Sequence, residues 1–296
     1  MTSAAATTPA SFGADRDWLL RFCPPHAARS LAALFEIEKE VTGSLKSGLE
    51  HSVAHARLEW WSEELIRLAQ GNPRHPATRT LASAAIERGV TPPDLTALAE
   101  NVRVDLACVA FLSRSELDEH LANWGRSVFR AAALLESNAV STLDSNVATT
   151  LETPGSNNSD RFSRATAERL AANAGSLVRE LELLEHFSSH AIAGRIYVPL
   201  GDPPEPYAPW VAHPLSESES LVLTFRREAI RRRLKEIASE IAPSERPALR
   251  IPLLWMAFAT TRDRGDSALL SPLRRTIAAW RGALALSRGR LPAALI

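Results

Sequence analysis

Ala56-Arg57-Leu58-Glu59-Trp60-Trp61-Ser62-Glu63-Glu64-Leu65 sets Leu58, Trp61 and Leu65 three and four residues apart, and Leu68 extends the row. That spacing puts all four on one helical face. Ile230, Leu234, Ile237 and Ile241 repeat the pattern far downstream, and no segment with an alternating period of two competes. The chain therefore reads as all-α. Helix breakers separate the runs: Pro24-Pro25 precede a helix from about 26, Gly71-Asn72-Pro73 follow one ending near 70, and Thr91-Pro92-Pro93-Asp94 open the next.

With 296 residues and 45% hydrophobic side chains, the chain can bury a large core. The expectation is one helical bundle over 18–296, preceded by a disordered segment over 1–17. The stretch from about 137 to 160 is rich in Ser, Thr and Asn and holds Pro154-Gly155, so it reads as a loop insertion. The proline-rich stretch from Gly201 to Pro214 reads as an extended crossing over packed Tyr207 and Trp210.

Formal net charge is zero, which removes the long-range attraction of a nucleic-acid binder. The charge is unevenly spread, however. Residues 221–296 carry 15 Arg or Lys against 6 Asp or Glu, leaving 19 against 28 in residues 1–220. Arg226, Arg227, Arg231, Arg232 and Arg233, and then Arg274, Arg275 and Arg281 opposite Ile277, Trp280 and Leu284, suggest a surface for anionic lipid or an acidic partner. Cys23 and Cys108 match no disulfide, zinc or redox spacing, so a reduced cytoplasm fits, with peripheral membrane contact as an option. The first seventeen residues lack a basic start and an apolar stretch of signal length, and no apolar run is long enough to span a membrane.

Four blocks in order resemble the squalene and phytoene synthase family, which joins two prenyl diphosphates head to head. They are Arg29 to Phe35, then Ala56 to Leu65 with His75-Pro76, then Asp105-Leu106 with Glu116-Leu117, and Gly194-Arg195-Ile196-Tyr197-Val198-Pro199. The resemblance implies a single-domain bundle of the isoprenoid synthase type. It also implies two acidic helices facing each other and holding magnesium, because diphosphate leaves readily only once its charge is neutralised.

Both expected metal motifs depart from that pattern. Counting from Phe35 places the first on Glu40, Val41 and Ser44, where one acid remains, with Glu36 one turn before it. Glu38 lies near the Leu34 and Val41 stripe and reads as a partly buried carboxylate. Counting back from Gly194 places the second motif on Glu182, Glu185, His186 and His190. Imidazole holds magnesium poorly, but Glu182, His186 and His190 form a helical stripe suited to zinc. The resemblance puts Arg195 and Tyr197 at the pyrophosphate end of a substrate cavity, or in a structural chain crossing. His120 and Gly125-Arg126 replace a tyrosine and a small pair, so Arg126 either enters the tunnel or reaches solvent.

The expected function is that of a catalytically inactive, synthase-like protein acting by binding: an assembly factor, or a binder of lipid or protein. Mitochondrial complex I assembly factors also look like degenerate phytoene synthases and share a start similar to Phe35-Glu36-Ile37-Glu38. The alternative is an active prenyltransferase of terpenoid biosynthesis with altered metal ligands. No cofactor is expected under the first reading, and magnesium or zinc under the second.

Overall fold

Proline and glycine punctuate the helices where their backbone preferences require. In the computed structural model, residues 13–46, 48–89, 91–107, 111, 113–137, 170, 173–187, 190, 197, 217–261 and 271–296 are described. Every regular element among them is helical. The first helices are α1 (Gly13–Leu20), α2 (Pro25–Thr42), α3 (His51–Ala69), α4 (Pro76–Ile86) and α5 (Thr96–Leu106). They are followed by α6 (Arg114–Trp124) and α7 (Arg130–Ser137), joined by a π turn over Gly125–Phe129. Residues 173–185 form α8, and α9 (Glu217–Ser239), α10 (Arg250–Thr261) and α11 (Ser271–Ser287) complete the set.

Pro25 starts α2, where its missing N–H costs nothing. Gly71, at φ 80°, stops the chain after α3 in a conformation that side chains resist. Buried Glu64 then ties α3 to α4. Its carboxylate accepts the amides of Arg74 (2.7 Å) and His75 (2.8 Å) and the Thr78 hydroxyl (2.5 Å). Burial opposes its charge, yet these donors and Arg67 hold its pKa down to about 2. The His75 side chain caps α4 by accepting from the Ala77 amide at 3.2 Å. Ser113 and Glu116 begin α6 as half of a capping box, the Glu116 amide donating to Ser113 Oγ at 3.3 Å.

Two helices form the middle of the bundle. In α10, Ile251 to Ala257 are buried without interruption, and in α8 so are residues 178–184. A helix buried on every side must be enclosed by others. Around α10 stand α1, α7, α9 and α11, while α2 packs on α4 and α7, and α3 on α5. Among the described residues no helix is long and apolar enough to cross a membrane.

The start of α8 meets the π turn almost backbone to backbone. A Cβ on Gly125 would lie 2.9 Å from the Gly175 carbonyl carbon, and one on Gly175 would lie 2.8 Å from Gly125 Cα. Neither clash is relieved by a rotamer change, so Gly125→Ala or Gly175→Ala should destabilise by about 1–3 kcal/mol. Urea unfolding checks this; an unchanged midpoint would show that the two helices stand further apart.

The N-terminal boundary falls earlier than composition suggests. Helix α1 starts at Gly13, inside the 1–17 segment read as disordered, because Arg16 is anchored in the core. The loop expected over 137–160 lies outside the described residues apart from its first position, and the proline-rich crossing of 201–214 lies outside them entirely.

Candidate functional site

The inward carboxylate of α2 is Glu38, because Leu34, Val41 and Glu38 share the buried face of that helix. Opposite it α8 presents Glu182, equally buried. Two carboxylates facing each other away from water would repel unless one took a proton or a cation lay between them. Arg16 of α1 supplies the cation. Its Nε and Nη2 donate to Glu38 at 3.1 and 2.8 Å, and its Nη1 and Nη2 donate to Glu182 at 2.5 and 3.2 Å. Burial opposes the charge on Arg16, but the attraction of Glu182 and Glu38 outweighs it and holds the pKa above the usual arginine value.

Aromatic walls enclose this bridge. The guanidinium lies 4.5 Å from the Trp255 ring centre and 5.8 Å from that of Trp124. Trp255 also donates its indole N–H to Glu182 at 3.3 Å.

The buried charges continue along α8 toward α5 and α6. Arg179 stands one turn before Glu182, its Nη1 at 3.4 Å from that carboxylate and its Nη2 at 3.9 Å from Asp105. Asp105 in turn lies 3.0 Å from His120 Nε2. Asn101 donates to the His120 carbonyl at 2.7 Å and lies 3.2 Å from Nδ1. Tyr197 stacks on His120 with ring centres 6.1 Å apart, and Phe111 meets it tilted at 4.9 Å.

The sequence-derived candidates fall into different places. Glu40 turns toward α3, where Arg57 binds both its carboxylate and its carbonyl. Glu36 is exposed and pairs with Lys39 at 3.1 Å. Glu182 is central, with Arg16 on its carboxylate. His186 and His190 follow on the next turn, joined by a backbone bond of 2.9 Å and with ring centres 6.2 Å apart. His190 meets Tyr197 edge to face at 5.1 Å. Tyr197 is buried, while Arg195 lies outside the described residues. Arg126 reaches solvent, bonded to the Ala122 carbonyl and Asn123, so it does not enter the interior.

A magnesium cluster needs several oxygen donors free to face a common ion. Glu38 and Glu182 already receive the nitrogens of Arg16, and no group of three or more His, Cys, Asp or Glu able to hold a metal occurs among the described residues. Among the described residues the donor set does not fit such a cluster. Residue reasoning reached Glu182 and the buried character of Glu38 but missed Arg16, Arg179 and Trp255. The available signal was the glutamate on an apolar stripe, which demands a cation without saying where in the chain it lies.

The fold and the facing acidic helices agree with a comparison against known families, in which the squalene/phytoene synthase model matches residues 12–202. No curated protein and no solved structure gives a significant match. With that match spanning well over half of its length, the chain belongs to the squalene/phytoene synthase family.

Proposed function

We propose that this family member does not condense prenyl diphosphates and acts by binding a partner, as an assembly factor does. The observation that carries this reading is the Arg16 guanidinium between Glu38 and Glu182. Ionising a prenyl diphosphate requires positive charge that can move onto the leaving group. Here all three guanidinium nitrogens are committed to two buried carboxylates. A cation so engaged is balanced within the fold and offers little to a phosphate. The same bridge removes both carboxylates as magnesium ligands.

The test uses the purified full chain with farnesyl or geranylgeranyl diphosphate, magnesium or manganese, and NADPH. Pyrophosphate release should equal that of a heat-treated control, and no new hydrocarbon should be extracted. Turnover above the control would establish a working prenyltransferase and return Glu182, His186 and His190 to consideration as ligands.

A further inference from the structure

In the basic C-terminal third, α9 and α11 use their arginines differently. On α9 Arg226, Arg227, Arg231 and Arg233 have inward or local partners. Arg226 forks onto buried Glu180 at 2.7 and 2.8 Å, and Arg227 donates to the Leu184 carbonyl at 2.6 Å. Arg231 and Arg233 meet Glu228 and Glu236 one turn away.

Helix α11 offers no such compensation from its own sequence, since no Asp or Glu occurs from 267 to 296. Its outer face carries Ile277, Trp280 and Leu284, exposed by 41, 59 and 36%. The inner face buries Ala279, Gly282 and Leu286. Exposed Arg281 and Arg288 stand one turn after Ile277 and Leu284, and exposed Arg290 follows the helix end. Helix α3, which also exposes a tryptophan, is built differently. There Trp60 lies among Glu59 and Glu63, which pair with Arg103 and Arg67.

We infer that the outer face of α11 is a docking surface for a lipid bilayer carrying anionic headgroups. An apolar row centred on tryptophan enters the headgroup boundary, while the arginines beside it meet phosphates. A second copy of the chain fits less well, because a two-fold contact along α11 brings the arginines of one copy against those of the other with no acid on the helix to separate them. A purely acidic polypeptide would use the arginines and leave the Ile277, Trp280 and Leu284 row in water. This inference goes beyond the non-catalytic reading and holds whether or not the interior turns over a substrate.

Flotation of the full chain with vesicles tests it. Binding is expected to phosphatidylcholine vesicles containing phosphatidylglycerol, with little binding to phosphatidylcholine alone. High salt should release the protein as the screening length shrinks to a few ångströms. Trp280→Ser and the pair Arg281→Gln/Arg288→Gln alter exposed side chains, so they should melt with the parent while binding about tenfold more weakly or worse. Absent flotation overturns the proposal, as does equal binding to neutral vesicles or binding indifferent to these substitutions. Sedimentation as a dimer dispersed by Trp280→Ser, without flotation, would assign the face to a second copy. Retention on polyglutamate without flotation would assign it to an acidic protein.

Discussion

Arg16→Met should lower the unfolding free energy at neutral pH by about 3–5 kcal/mol, the cost of removing one partner from a buried ionic group. Methionine keeps much of the apolar stem that lies against Trp255, so the loss reports mainly the missing charge. Glu38 and Glu182 would then face each other with no cation between them. Each carboxyl would bind protons more tightly than in the unfolded chain, so the deficit should shrink as pH falls from 7 toward 5. Arg16→Met/Glu38→Leu/Glu182→Gln should recover most of the loss. Its apolar groups replace the ions, and glutamine retains an oxygen for the Trp255 indole. Urea unfolding of the three proteins at both pH values decides the matter. A single variant as stable as the parent would mean that water, not Arg16, compensates the two carboxylates.

A second large effect is expected at Glu136, at the end of α7, which accepts the Ile251 amide at 2.6 Å near the start of α10. Burial pushes its carboxyl from about 4.5 up to about 8, against the opposing pull of that amide and of Arg250 and Arg88. The folded protein thus holds a proton that the unfolded chain releases. Stability from this group is complete below about pH 4.5, declines as pH rises, and levels off once pH passes about 8. The slope is roughly 1.4 kcal/mol per pH unit, for a total on the order of 3–5 kcal/mol. His26 acts in the opposite sense, since burial lowers its pKa, but its share is complete by about pH 6.5. The interval from pH 7 to 8 therefore isolates Glu136. Glu136→Gln keeps the acceptor and removes the titration, so its urea midpoint should stay level there while that of the parent falls. Parallel profiles would show that Glu136 is ionised in the folded protein.

What the sequence made legible follows the range of the interactions involved. The row Leu58, Trp61, Leu65 and Leu68 is local, and all four side chains are buried where α3 meets the core. Glu38 was legible for the same reason, since it sits among Leu34 and Val41. Its partner was not, because nothing near Glu38 in the sequence points to Arg16, and Glu182 lies 166 residues from that arginine. The direction of Arg126 depends on helix rotation. The π turn of Gly125–Phe129 sets that rotation, burying Ser127, Val128 and Phe129 and leaving Arg126 outside. Gly175 carried no signal of its own, for its role exists only against Gly125 on another helix.

The Arg16 bridge also governs the order in which the protein can be completed. During synthesis α1 emerges before α8, and its guanidinium cannot be balanced on both sides until Glu182 has been made. Until then the arginine does better in water than in a half-built interior, so α1 stays undocked while α2 to α7 gather. Closing that contact spans 166 residues and belongs to the late, slow part of folding. A fragment ending before α8 should therefore leave α1 open to proteolysis even where the other helices hold together. Helix α1 is thus among the last elements to join the fold.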